Sequence, residues 1–217
     1  MHRPELIIFD LDGTLVDSFP AIQLGLNRAL QDLGLPQLDL AWVRRHVGRG
    51  ASRLIEAAAG GRCDAPELMG RFRHHYGLVV ADSTPPYVGI ERALATLSQS
   101  FTLAIASNKP LPWVDKLVDH LGWRQMMAAV VGPEVVGAHK PDPAMIRIVL
   151  ERADVSASRC LLVGDMPVDA ETGANAGIPV VGVDTGSCSA AELVAAGCVD
   201  VIPGVPDLAR WIEDHGE

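Results

Sequence analysis

The chain has 217 residues, enough to bury a substantial core as one domain, or as one domain with a modest insertion. With 48% apolar and 21% charged residues its composition is that of an ordinary globular protein, and no apolar run approaches the roughly 20 residues that a membrane helix needs. The formal charge of -9 argues against nonspecific nucleic-acid binding, which relies on many Lys and Arg contacts to phosphates.

Residues 6–9 form a short apolar run that ends in Asp10 and a glycine-containing turn, which predicts a buried strand. The run is too short for a signal-peptide core and acidic residues follow it directly, so a cytoplasmic protein is expected. From Phe19 the pattern takes a helical period, with Ile22, Leu26, Leu30 and Leu33 on one stripe stopped by Gly34 and Pro36. Further helices are predicted near 40–46, 51–59 and 65–80, and Ser83-Thr84-Pro85-Pro86 reads as a linker. Beyond it, helices at 89–98, 111–121, 143–152, 168–176, 190–196 and 207–214 alternate with strands at 101–106, 128–131, 160–163, 179–183 and 199–202. Repeated βα units of this length imply an α/β fold, a doubly wound, Rossmann-like parallel sheet with helices on both faces. Residues 17–86 then stand out as a helical cap inserted after the first strand, leaving 1–16 and 87–217 as the core.

Charge is unevenly spread. Between Trp42 and His75 lie Arg44, Arg45, Arg49, Arg53, Arg62, Arg71 and Arg73, against only Glu56, Asp64 and Glu67. Two readings are open: a place where an anionic substrate is met, or a solvated helix face with its own ion pairs. The scattered Cys63, Cys160, Cys188 and Cys198 fit neither a disulfide scaffold nor a thiolate zinc site, and are expected to be small packing residues.

In open α/β sheets ligands sit outside the carboxyl ends of the strands. Here those ends carry Asp10 and Asp12, then Ser107 and Asn108, then Lys140 after a short loop, then Asp165. Carboxylates at i and i+2 across one turn, with Gly13 permitting the tight path, can face a single reacting atom: one attacks phosphorus and the other exchanges a proton with the leaving oxygen. Asp165 with Asp169 forms a second acidic cluster that could, with Asp10, hold Mg²⁺; Asp169 alternatively serves the N-terminus of the following helix. Lys140, one of only three lysines beside Lys109 and Lys116, could neutralise phosphate and the crowded carboxylates. Ser107 and Asn108 offer hydroxyl and amide donors to phosphoryl oxygens, with helix capping as the alternative for Ser107.

Taken together, Asp10-x-Asp12-Gly13-Thr14, Ser107, Lys140-Pro141 and Gly164-Asp165-x-x-x-Asp169 resemble the four ordered motifs of the haloacid dehalogenase superfamily. The stretch from Asp10 to Ser18, the insertion after it, Ser107-Asn108-Lys109-Pro110 and Lys140-Pro141-Asp142-Pro143 resemble phosphoglycolate phosphatases and near relatives within it. The resemblance implies Asp10 as nucleophile, Asp12 as general acid and base, and Ser107 and Lys140 as phosphate ligands or supports of the nucleophile. It also implies Mg²⁺ on the Asp10 side chain, the Asp12 backbone carbonyl and Asp165, with Asp169 supporting, while Gly13 borders the phosphate. Asp12 sets the chain apart from dehalogenases, which lack it. The absence of any lysine before Lys109 sets it apart from relatives that use a cap lysine. Met166 and Val88 depart from the common pattern.

In the cap, Val47-Gly48-Arg49-Gly50 resembles a substrate-facing loop, so Arg49 or Arg45 is expected to meet a second anionic group through bidentate bonds. The expected substrate is a small phosphomonoester such as 2-phosphoglycolate. Other sugar phosphates, a nucleotide monophosphate, pyrophosphate, or a noncatalytic phosphate-binding role are the alternatives. A monomer or homodimer without nucleic-acid or membrane partners is expected.

Overall fold

The computed structural model describes residues 3–216. The first strand, β1 (Leu6–Phe9), is buried on both faces, and its unbroken apolar run is what a central parallel strand requires. A helical insertion follows: α1 (Phe19–Asp32), α2 (Leu40–His46), α3 (Ala51–Ala59) and α4 (Ala65–Val79). The chain then alternates through α5 (Ile90–Leu97), β2 (Thr102–Ala106), α6 (Leu111–His120), β3 (Met127–Val131), α7 (Pro133–Val136), α8 (Ala144–Ala153) and β4 (Cys160–Gly164). It ends with α9 (Pro167–Ala176), β5 (Val180–Val183), α10 (Ala190–Ala196), β6 (Asp200–Ile202) and α11 (Leu208–His215).

All strand pairs are parallel and the order is β3-β2-β1-β4-β5-β6, so the winding reverses between β1 and β4. The expected doubly wound sheet is therefore observed. Phe9 pairs with Ile105 on one side and Val163 on the other, which brings the carboxyl ends of β2, β1 and β4 level with one another. Asp10 extends the ladder through its amide to the Val163 carbonyl at 2.9 Å. The predicted elements coincide with the observed ones to within a residue or two at their ends. The four-residue α7, too short to carry a period, was not predicted.

Alternation along the strands divides the core between the two sheet faces. Leu6, Ile8, Ala104, Leu162 and Val180 pack on one face against Met145, Ile146 and Val149 of α8. Ile7, Phe9, Ile105, Val163 and Val181 face the other way, and that apolar cluster runs on without a break into Leu26 and Leu30 of α1 and Phe72 and Tyr76 of α4. The insertion thus shares a core with one sheet face. Trp113 of α6 joins the two, its ring edge-on to Phe72 and Tyr76 at 5.6 and 4.7 Å between centroids. The segment read as a linker is paired rather than free: the Asp17 amide donates to the Pro85 carbonyl at 3.0 Å and the Tyr87 amide to the Leu15 carbonyl at 3.1 Å. Outgoing and returning chains therefore run side by side at the base of the insertion.

No helix among the described residues is long and apolar enough to cross a membrane. All four cysteines are free thiols, with Cys160 and Cys198 buried as packing residues.

Candidate active site

The strand-end residues converge at the point where the winding reverses. Asp10, Asp12, Ser107, Lys140, Asp165 and Asp169 are all buried although polar, and buried charge persists only when paired or metal-bound. Lys140 Nζ reaches Asp10 Oδ1 at 3.0 Å and Asp169 Oδ1 at 2.7 Å. Burial alone would disfavour its ammonium, but the Asp10 and Asp169 carboxylates more than offset that and hold the group charged. Asp10 itself is pushed up to about 6, chiefly by burial, with Lys140 pulling the other way and the neighbouring aspartates adding to the rise. Asp165 is also raised by burial and by the Asp10 and Asp169 charges.

Local structure aims these groups. Gly13 takes φ +88°, and any side chain there would also collide with the Asp165 carboxylate. Thr14 Oγ1 donates to Asp165 Oδ1 at 2.8 Å. Of the two roles considered for it, Asp169 fills the helix one, Oδ2 accepting from the Met166 amide at 3.1 Å at the start of α9, while Oδ1 accepts from Lys140 Nζ at 2.7 Å.

One oxygen of each of Asp10, Asp165 and Asp169 can be gathered within 4.8 Å. Asp165 Oδ2 is buried with no hydrogen-bond partner among the described residues. Such an orphaned anionic oxygen beside a crowded carboxylate cluster fits a hard divalent cation with oxygen ligands. Both Asp169 oxygens already have partners, in keeping with a supporting place.

Across the site, Asp12 turns away from this cluster and pairs with Lys109, whose Nζ lies 2.9 and 3.1 Å from its two oxygens. Lys109 also sits 4.9 Å from the centre of the Tyr76 ring. Burial works against its charge, and Asp12 overrides it. Lys109 is not among the site residues expected from the sequence. Its signal was its place two residues after Ser107 in a chain with few lysines. Nothing in the sequence pointed to Tyr76, which arrives from the insertion.

Three expectations are revised by the geometry. Asn108 does not present free amide donors: its Nδ2 donates to the carbonyls of Gly48 and Lys140 at 2.9 and 3.1 Å, and its Oδ1 accepts from the Lys140 amide at 2.7 Å. It ties β2, the Lys140 loop and the insertion together. The Gly13 amide is spent on the Val16 carbonyl at 2.9 Å, so the residue shapes the turn rather than offering that donor to a ligand. Arg49 does not border the inner cavity formed by Asp10, Asp12, Ser107, Lys109 and the insertion residues Val47, Leu54, Phe72 and Tyr76. It borders two outer grooves instead, with Arg53 in both, Arg45 in one and His139 and Lys140 in the other. Ser107 is buried and borders the inner cavity with Asp10, its Oγ accepting from the Lys109 amide at 3.3 Å.

The basic stretch is divided in kind. Arg71 pairs with Glu67 and Asp32, and Arg44 lies 3.6 Å from Asp17, whereas Arg45, Arg49 and Arg53 have no carboxylate within 4.0 Å among the described residues.

A doubly wound sheet with paired aspartates, a buried lysine and a cation-ready carboxylate cluster at its switch point has the form of a phosphoryl-handling hydrolase. A sequence profile for haloacid dehalogenase-like hydrolases matches residues 7–183, and the chain belongs to that family. It is 35% identical over 220 residues to the phosphoglycolate phosphatase of Rhodospirillum rubrum, covering 96% of this chain and 91% of that one. It is 36% identical over 193 residues to that of Mesorhizobium japonicum, covering 86% and 85%. The crystal structure of a predicted phosphoglycolate phosphatase from Haemophilus somnus superposes with a TM-score of 0.91 at 26% identity, covering 97% of this chain and 99% of that one. The chain is thus a phosphoric monoester hydrolase of this family.

Proposed function

We propose that the protein is a Mg²⁺-dependent phosphatase that works through an aspartyl-phosphate on Asp10, with 2-phosphoglycolate as its substrate. The observation that carries this reading is the Asp10–Lys140 ion pair at 3.0 Å beside the orphaned Asp165 oxygen, with Asp10 and Asp12 both bordering the inner cavity. The names of the relatives support the substrate.

In the first step an Asp10 oxygen attacks phosphorus, the bond to the leaving oxygen breaks, and Asp12 donates its proton to that oxygen. In the second, Asp12 removes a proton from water as the water oxygen attacks phosphorus and the Asp10–phosphorus bond breaks. Dividing the displacement in this way gives each step an in-line nucleophile and a proton donor or acceptor. Lys140 and Ser107 neutralise and hold the equatorial oxygens, where phosphoryl transfer places most of its charge. Asp10, the Asp12 carbonyl and Asp165 would hold the cation with Asp169 in support. When bound, it supplies charge to offset the phosphoryl oxygens and the aspartates.

The insertion would act as a cap of residues 17–86 on a core of 1–16 and 87–217. The inner cavity measures about 40 Å³, well below the roughly 300 Å³ of ordinary ligand pockets. The paired segments at the base of the insertion would therefore flex to admit substrate and close again to exclude water. The unpaired Arg45, Arg49 and Arg53 would draw the anion toward the opening.

Phosphate release from a panel of phosphomonoesters including 2-phosphoglycolate, with Mg²⁺ or EDTA, tests the reading. The expected result is Mg²⁺-dependent release that Asp10→Asn lowers by at least about a thousandfold, the scale on which loss of a covalent nucleophile acts. Release that persists in Asp10→Asn would sink the mechanism. No release from any compound would favour a noncatalytic phosphate-binding role.

A further inference from the structure

We infer that Lys109, rather than Arg49, is the specificity residue of this site: its ammonium reads a carboxylate carried by the leaving group. The inference rests on the phosphatase reading and narrows its substrate to small esters with an anionic leaving group. Among the described residues bordering the inner cavity, Lys109 is the one cation. Its Nζ grips both oxygens of Asp12 at 2.9 and 3.1 Å. Asp12 is the group placed to protonate the leaving oxygen, so a cation on Asp12 lies within a side chain's reach of whatever is attached to that oxygen. A carboxylate one carbon away can share the ammonium with Asp12, which uses two of its three donors.

Part of the cavity wall argues the same way: Val47, Leu54 and Phe72 offer apolar surface, and sugar hydroxyls turned to that side would find nothing to bond on closure. Tyr76 backs the ammonium with its ring face at 4.9 Å, and α4 thereby holds Lys109 against the cavity. Arg49 lies outside, on two outer grooves, one of which also borders Lys140. An uncharged leaving group would meet an ammonium already committed to Asp12 and add nothing to it. Discrimination thus comes from a buried charge, where the loss of a partner is felt most.

The test compares 2-phosphoglycolate with 2-hydroxyethyl phosphate, which replaces the carboxylate by a neutral alcohol of similar size. The ratio of their kcat/KM values should favour 2-phosphoglycolate in the native enzyme. It should fall about 10- to 100-fold in Lys109→Met, the range expected for a lost charge-assisted bond. Lys109→Arg should retain part of the preference, and Arg49→Ala should leave the ratio within about threefold, as expected where no direct bond is lost. Collapse of the ratio in Arg49→Ala, or an unchanged ratio in Lys109→Met, overturns the assignment. If Lys109→Met turns over neither compound, calorimetric binding to Asp10→Asn and Asp10→Asn/Lys109→Met decides it. There the double variant must lose affinity for 2-phosphoglycolate selectively, and equal losses for both compounds overturn the inference. Absence of Mg²⁺-dependent turnover of either ester by the native enzyme is a separate result, one against the phosphatase reading itself.

Discussion

Buried carboxylates repel one another, and at the seam between β1 and β4 a single lysine serves two of them. Lys140 bridges Asp10 and Asp169, while among the described residues Asp165 has only the Thr14 hydroxyl on one oxygen. Without a cation the cluster therefore favours protons. Asp10 is raised from 3.8 to about 6 and Asp165 is raised as well. A carboxylate whose folded value exceeds its unfolded one binds more protons in the folded state between the two, so stability is greatest below the unfolded value and is lost as pH rises through the folded one. In EDTA, the thermal midpoint should fall as pH rises from about 4 to about 7, with a shallower fall in Asp10→Asn. Mg²⁺ should restore the midpoint at the upper end, because it binds the deprotonated carboxylates. Scanning fluorimetry across that range measures both effects. An equally steep fall in Asp10→Asn would assign the dependence to other groups.

At the scale of elements, the loop between α2 and α3 is seated on the core by three residues from different strand ends. Asn108 donates to the Gly48 carbonyl, Met166 lies under Gly48, and the His139 ring lies under Gly50. Gly48 takes φ +110°, and a side chain there would collide with the Met166 sulfur. Met166 thus fills the space between the loop after β4 and the insertion. Gly48→Ala combines backbone strain with this collision and should lower kcat/KM for 2-phosphoglycolate by roughly tenfold or more, while the sheet, which the loop does not support, keeps the fold intact. Shortening the collider in Gly48→Ala/Met166→Ala should recover part of the loss and leave the part due to φ. Steady-state kinetics and circular dichroism of the two variants check this. Full additivity of the two substitutions would mean the residues do not meet during turnover.

Over the whole molecule, a formal charge of -9 surrounds a site built for an anion. Arg45, Arg49 and Arg53, without a carboxylate partner among the described residues, border two grooves where insertion meets core, and His139 and Lys140 line the one shared by Arg49 and Arg53. A local basic lane in a repelling field raises the encounter rate with an anion, and salt screens that gain. Replacing all three by Ala should lower kcat/KM for 2-phosphoglycolate at low ionic strength and flatten its decline between about 20 and 200 mM salt, where the Debye length shrinks from roughly 20 to 7 Å. Initial rates across that range measure it. A slope identical to that of the native enzyme would leave these arginines as solvated surface.

The order and type of nearly every element could be read from the chain because apolar period is a local property: Leu6 to Phe9 is buried on both faces and reads so, and the stripe Ile22, Leu26, Leu30 turns inward as its spacing dictates. The strand-end motifs were legible for the same reason, since a parallel sheet carries its polar residues at one end of its strands. Neither level determined which motif residues have donors to spare. Asn108 and Gly13 sit in the motifs, yet the side-chain amide of Asn108 is spent on the Gly48 and Lys140 carbonyls, and the backbone amide of Gly13 on a turn carbonyl. Likewise Lys109 becomes a site residue because the close of α4 against the core sets Tyr76 beside it and Asp12 across from it, 97 positions away in sequence. Sequence by itself determined the sheet, the insertion and the four clusters of polar residues, which follow from short-range patterning. Tertiary structure alone decided which cation faces the cavity and which faces the rim, because burial and pairing are properties of long-range contact that no local pattern encodes.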